Sequence, residues 1–151
     1  MSYTRVCIHY VWSTKFRKPT LVQPYRNMLF DHMRENAEKK SIYIDRLNGY
    51  TDHVHCLVWL KHGQTIDGIA FLLKGESAHW FNTHPEIKGI KLQWQTMYFA
   101  VSVSIDSVDR VRAYIDKQEV HHKMKTFEKE YQEFMKYESV VNDLDALKRR
   151  K

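Results

Sequence analysis

The chain has 151 residues, with 24 Lys plus Arg against 18 Asp plus Glu and a formal charge of +6. That length holds one domain and excludes two ordinary ones, and the positive excess favours an anionic partner, nucleic acid first, with an acidic protein surface or a lipid headgroup also compatible. Its two cysteines, Cys7 and Cys56, lie in apolar runs, which excludes a disulfide framework and fits a cytoplasmic setting. No stretch approaches the roughly 20 apolar residues of a membrane span, and MSYTRVCIHYVW lacks the charged head and cleavage site of a secretion signal.

Arg5 to Ser13 reads as a strand rich in β-branched and aromatic residues, followed by the basic loop TKFRKPT. From Val22 to Lys40, Tyr25, Leu29, Met33 and Ala37 recur every fourth residue, which predicts a helix. Ile42 to Leu47 and His53 to Leu60 read as two strands of a hairpin, with Asn48-Gly49 marking the turn. A second helix is expected over Thr65 to Asn82, carrying Ile66, Ile69 and Leu73 on one face and ending at His84-Pro85.

Leu92 to Ser104 is long for one strand, so a bend or bulge is expected near Tyr98 to Val101. A third helix, Ser107 to Val120, is expected to start from Asp106 as N-cap with Asp109 in its first turn. The order βαββαβα predicts an antiparallel sheet with two helices on one face and one helix left over. KMKTFEKEYQEFMKYE reads as a further charged helix, and residues 138–151 as a polar, flexible tail after a domain of residues 1–137.

The stretch TDHVHCLVWL sets His53 and His55 on one strand face, about 6.6 Å apart at Cα, with Val54, Cys56, Val58 and Leu60 on the other. The apolar face should carry the two crossover helices, which leaves the histidines facing the leftover element. Two histidines at this spacing are core imidazoles, polar strand residues or metal ligands, and the pair alone leaves all three readings open. No HExxH or paired-cysteine spacing supports a zinc hydrolase, so a further ligand must come from a distant residue.

Tyr114 and Gln118, four apart in VRAYIDKQEV, share one side of the third helix at the rim of a Val108, Val111, Ile115 stripe. Taken alone they read as a half-buried aromatic and a solvated amide. Two imidazoles with the Gln118 amide oxygen as third donor would instead suit a hard cation, Mg²⁺ or Mn²⁺, that also grips a phosphate. His9 reads as a strand residue with a local hydrogen bond, and His121 and His122 as helix-end packing.

Four segments in order, DHVHCLVWL, LLKGESAHWFN, LQWQTMYFAVSVS and YIDKQEVHH, resemble the HUH-type single-tyrosine transposases of the smallest bacterial insertion sequences, among whose relatives are the REP-associated tyrosine transposases. The resemblance spans residues 3 to 137. It implies a ferredoxin-like (RRM-like) α+β core that cuts and rejoins single-stranded DNA through a 5′-phosphotyrosine. Tyr114 would be the nucleophile, and His53, His55 and Gln118 the ligands of a divalent Mg or Mn ion.

It also implies recognition of a DNA hairpin near each element end, and a homodimer whose active sites are shared between subunits. Lys15, Arg17 and Lys18 are the expected phosphate-contacting cluster, and Trp12, Trp59, Trp94 and Tyr98 are candidate stacking platforms for bases. The alternative is a domesticated hairpin-binding protein derived from such a transposase, against which the intact His53, His55, Tyr114 and Gln118 argue.

Overall fold

A computed structural model of the chain describes residues 2–118 and Lys129. It has two compact units, Met1–Asp116 and Lys117–Lys151, and every element that follows belongs to the first. The expected domain boundary at residue 137, the later charged helix and His121-His122 lie outside the described residues, apart from Lys129. Among the described residues no helix is long and apolar enough to cross a membrane.

The elements are β1 (Val6–Ser13), α1 (Tyr25–Lys39), β2 (Tyr43–Gly49), β3 (His53–Leu60), α2 (Ile66–Thr83), β4 (Phe99–Val103) and α3 (Val108–Asp116). The strands form one antiparallel sheet in the order β2-β3-β1-β4. Alternation along the two central strands divides it into two chemically different faces. Ile8, Tyr10 and Trp12 of β1 and Val54, Cys56 and Val58 of β3 pack against Leu29, Phe30 and Met33 of α1 and Ile69, Leu73 and Phe81 of α2. The opposite face presents His9, His53, His55 and Leu57, all fully buried, and α3 covers it with Val108, Val111 and Ile115.

Burial also dominates the thiols. It raises Cys7 to about 12 and Cys56 higher still, so both remain protonated small hydrophobes.

Several boundaries differ from those read in the sequence. The hairpin turn is not Asn48-Gly49: both residues are in β2, paired with His55 and Val54, and the chain reverses over Tyr50, Thr51 and Asp52. Gly49 is needed there for close approach, because a Cβ at that position would sit 2.2 Å from the His53 carbonyl oxygen. The predicted long strand is also shorter. Only Phe99–Val103 pairs as β4, while Trp94 makes an isolated bridge to Thr14. Between them the Lys74 ammonium donates to the carbonyls of Gln95 and Thr96 at 2.7 and 3.0 Å, so a side chain takes up carbonyls that a continuous strand would pair.

Helix α1 starts at Tyr25, directly after Pro24, and α2 is capped by Thr65, whose hydroxyl accepts from the Gly68 amide. Asp106 does not cap α3; it lies in a short 3-10 turn, Ile105–Ser107, that leads into the helix. Asp109 is in the first turn of α3 as expected and accepts from Arg112 at 2.9 Å.

A bulge in β2 fixes α3 on the sheet. The register shifts between Ile44 and Arg46, so Asp45 is the additional residue. Its carboxylate, 2% exposed, accepts two hydrogen bonds from the Arg112 guanidinium, at 2.8 and 2.6 Å, and one from the Trp59 indole at 2.9 Å. Two further ties come from the same strand: Arg46 pairs with Asp116 at 3.4 Å, and the Asn48 amide donates to the Ile115 carbonyl at 2.8 Å. The hydrogen bonds from Arg112 hold the Asp45 carboxyl below the usual carboxylate range, with Trp59 and Arg46 adding to the effect against the cost of burial.

Because the folded state lowers this pKa, the pair stabilises the fold above the unfolded value of about 3.9, and that contribution is lost as pH falls through the folded one. Asp45→Asn is expected to cost roughly 3 kcal/mol at pH 7 in urea unfolding, and to lose less stability than the wild type between about pH 5 and pH 3. Parallel acid-dependence curves for the two proteins would contradict this role of Asp45. Gly49→Ala should cost about 1–3 kcal/mol, since backbone rather than a flexible side chain blocks the new methyl group; an unchanged urea midpoint would show that the turn relaxes freely.

Candidate active site

The face opposite the hydrophobic core is built around three imidazoles. β1 and β3 pair with Val11 opposite His55 and Ser13 opposite His53, so His9 lies on the same face one step along. His9 Nε2 lies 3.0 Å from His55 Nδ1, and the ring centroids are 5.1 Å apart. His53 Nδ1 lies 2.8 Å from Asp52 Oδ1, and the His53 and His55 rings are 5.1 Å apart and nearly perpendicular. Each member of the histidine pair therefore has its Nδ1 held by a neighbour, which makes Nε2 the nitrogen each would offer to a metal.

The protonation pattern follows from chemistry. For Nε2 to ligate a metal it would need its lone pair, so Nδ1 would carry the proton and donate it, from His53 to the Asp52 carboxylate and from His55 to Nε2 of His9. His9 would then be the neutral Nδ1-protonated tautomer. Burial pushes its pKa down to about 3, which keeps it neutral at physiological pH. Burial alone would raise Asp52, but the hydrogen bonds from His53 and Arg17 and the Arg17 charge outweigh it and hold the carboxyl below its usual range. Asp52 also accepts from the Arg17 guanidinium at 3.1 Å and is thus clamped from two sides.

Tyr114 approaches this cluster from α3. Its ring lies edge-on to His55 at 5.5 Å between centroids and to His9 at 6.5 Å, all within one chain. Gln118 falls in the second compact unit and is described apart from the histidines. Among the described residues no group of three or more His, Cys, Asp or Glu is placed to hold a metal. A metal on the two imidazoles would need a donor of another type, and with an amide oxygen the mixed N and O set would suit Mg²⁺ or Mn²⁺.

The expected phosphate-contacting trio divides. Arg17 turns inward to Asp52, whereas Lys15 and Lys18 line an open pocket with Lys91. Of the candidate stacking platforms, Trp12 is buried in the core against Trp94, and the Trp94 and Trp59 indoles donate to Ser77 and Asp45. Tyr98 donates its hydroxyl to Asp67. Sequence reasoning missed Asp52 and His9 as partners of the histidines and Phe16 as an exposed ring. The signal for His9 was present: it is the one polar residue between Val6 and Trp12.

Comparison with known proteins identifies the family. The profile of the family described as "Transposase IS200 like" matches residues 2–118. A crystal structure of a protein from Deinococcus radiodurans R1, provisionally described as a transposase, superposes with a TM-score of 0.59 at 25% identity, covering 78% of this chain and 93% of that one. A REP-associated tyrosine transposase bound to a REP hairpin superposes with a TM-score of 0.59 at 17% identity, covering 81% of this chain and 72% of that one, a likeness of fold alone. No curated protein gives a significant match. With the matched region running through every element that carries the histidine face and Tyr114, the chain belongs to the IS200-like transposase family.

Proposed function

We propose that the chain cleaves and rejoins single-stranded DNA at the ends of an insertion sequence, with Tyr114 as nucleophile and a divalent ion held by His53, His55 and Gln118. The observation that carries this reading is the Tyr114 ring beside a histidine pair whose Nδ1 atoms are both held from behind. The strand order β2-β3-β1-β4, with both crossover helices on one face, supports a ferredoxin-like core, and the net charge of +6 supports a polyanionic substrate.

In the proposed reaction the Tyr114 oxygen attacks the scissile phosphorus and the bond to the 3′ oxygen breaks. The DNA is left as a 5′-phosphotyrosine and a free 3′-OH, with the phenolic proton balancing the released oxygen. A different 3′-OH attacking that ester restores the phenol and joins a new strand without ATP. The bound ion would supply charge for the non-bridging oxygens as negative charge accumulates there. His9 and Asp52 hold the imidazoles in the ligating tautomer, so neither ring needs to reorganise. The substrate would carry a subterminal hairpin, and the enzyme would act as a homodimer in the cytoplasm with α3 shared between protomers.

Incubation with Mg²⁺ or Mn²⁺ and a single strand from the element's end should give a covalent adduct on the 5′ side. Tyr114→Phe should bind that strand and form no adduct, and an adduct that persisted would sink the assignment. His53→Ala should also be inactive. Mixing it with Tyr114→Phe should restore cleavage only if the subunits share their sites, and a silent mixture of dimers would overturn sharing.

His9→Ala should weaken Mn²⁺ binding about 10- to 100-fold by electron paramagnetic resonance titration, with hairpin binding in EDTA unchanged. His9→Gln, which keeps an acceptor, should recover part of the affinity. Equal Mn²⁺ affinity in all three proteins would remove His9 from the site.

A further inference from the structure

The 3-10 turn Lys15–Arg17 follows β1 directly and faces a second segment, Gly89 to Gln93, across a pocket of about 580 Å³. That size is within the range of about 300–1,000 Å³ typical of small-ligand sites. Three lysines line it, Lys15, Lys18 and Lys91, and none makes an ion pair among the described residues. Between them stands Phe16, 85% exposed, with the Lys15 ammonium 5.5 Å from its ring centroid. Phe16 and Arg17 have φ values of 57° and 53°, a left-handed pair that non-glycine residues adopt only when neighbouring contacts hold them there.

Those contacts are present. The Lys15 amide donates to the Gln93 carbonyl at 2.8 Å, which joins the two walls, and the Thr14 hydroxyl donates to the Lys18 carbonyl at 2.7 Å. Arg17 is drawn inward to Asp52, the same carboxylate that holds His53. The turn thus presents an aromatic ring to solvent while its next residue is anchored to the histidine pair.

We propose that this pocket seats one unpaired nucleotide of the single-stranded substrate, its base stacked on Phe16 and its phosphates held by Lys15, Lys18 and Lys91; the inference rests on the reading of the chain as an enzyme of single-stranded DNA. An exposed ring with one ammonium beside it, in a pocket lined by two more lysines, matches the alternation of flat base and anionic phosphate in a nucleic acid strand. A purely anionic partner, such as an acidic peptide or a lipid headgroup, would use the lysines and leave the ring in water. The Arg17–Asp52–His53 relay puts the seat two side-chain contacts from the metal-ligating edge.

The test uses fluorescein-labelled oligo(dT), a duplex of equal length and the full-length protein in fluorescence anisotropy. Phe16→Ala should weaken single-strand binding roughly 5- to 100-fold and leave duplex binding unchanged, while Phe16→Trp should bind at least as well as the wild type. Lys18→Gln with Lys91→Gln should lower the slope of log affinity against log salt by about 0.7 for each charge removed. Because Phe16 is exposed, thermal unfolding midpoints of these variants should match the wild type, and adduct formation on the element-end strand gives an independent readout. If the wild type forms the Tyr114 adduct and Phe16→Ala binds oligo(dT) as tightly as it does, the pocket is overturned and the proposed function stands. If the wild type neither binds the single strand nor forms the adduct, both fall.

Discussion

The Asp45 carboxylate, at a one-residue bulge on the α3 side of the sheet, accepts both hydrogen bonds of the Arg112 guanidinium and a third from Trp59. Ile44 and Leu47 both face the core, so the extra residue lets Asp45 and Arg46 lie together on the α3 side, where strict alternation would turn one of the two into the core. A buried carboxylate is stable only with its lone pairs satisfied, and the bidentate guanidinium satisfies them with a fixed geometry. Arg112 is two residues before Tyr114, so the same bonds set the rotation of α3 and decide which of its side chains meets His55.

The second constraint acts on the imidazoles. His53 and His55 are on β3, which has neighbours on both sides, so their backbone positions are set by β1 and β2. Backbone position alone does not fix a ring. Asp52 and His9 do, one from the turn that precedes the strand and one from the strand beside it. The two are not equivalent: Asp52 is a carboxylate also held by Arg17, whereas His9, kept neutral by burial, offers only a lone pair.

Most of this architecture was legible in the residues, and the exceptions share a cause. Strand alternation in HVHCLVWL placed the histidines opposite the helix-covered face, and the four-residue repeats placed α1 and α2. What local pattern could not show was where tertiary contacts override it. Asn48-Gly49 has the composition of a hairpin turn, yet it continues as strand because Gly49 must pass close to the His53 carbonyl and Asn48 reaches α3. LQWQTMY has strand composition, yet Lys74 takes the carbonyls of Gln95 and Thr96. In the site, Asp52 was adjacent to the histidines in sequence, while the partnership of His9 with His55 depends on the β1–β3 register, which no single strand encodes. Lys15, Arg17 and Lys18 read as one basic cluster; the left-handed turn at Phe16 and Arg17 separates them into an inward clamp and an outward pair.

The two halves of the site thus differ in how firmly they are held. The histidine half is part of a sheet, its strand paired on both sides and its rings held by Asp52 and His9. The tyrosine half is a nine-residue helix joined to edge strand β2 by Asp45, Arg46 and Asn48, and to the sheet by a short apolar stripe. A helix of that length has little stability of its own and takes its position from these ties. If α3 passes between protomers, as proposed for the dimer, these are the bonds that must break and form again on the partner. The surface that receives α3 is the same in each copy, so an exchanged helix would find an identical carboxylate, guanidinium and amide arrangement waiting. The cost of exchange would then lie in the transition rather than in the end states, which is the property a strand-transfer enzyme needs if its nucleophile is to carry DNA from one histidine pair to another.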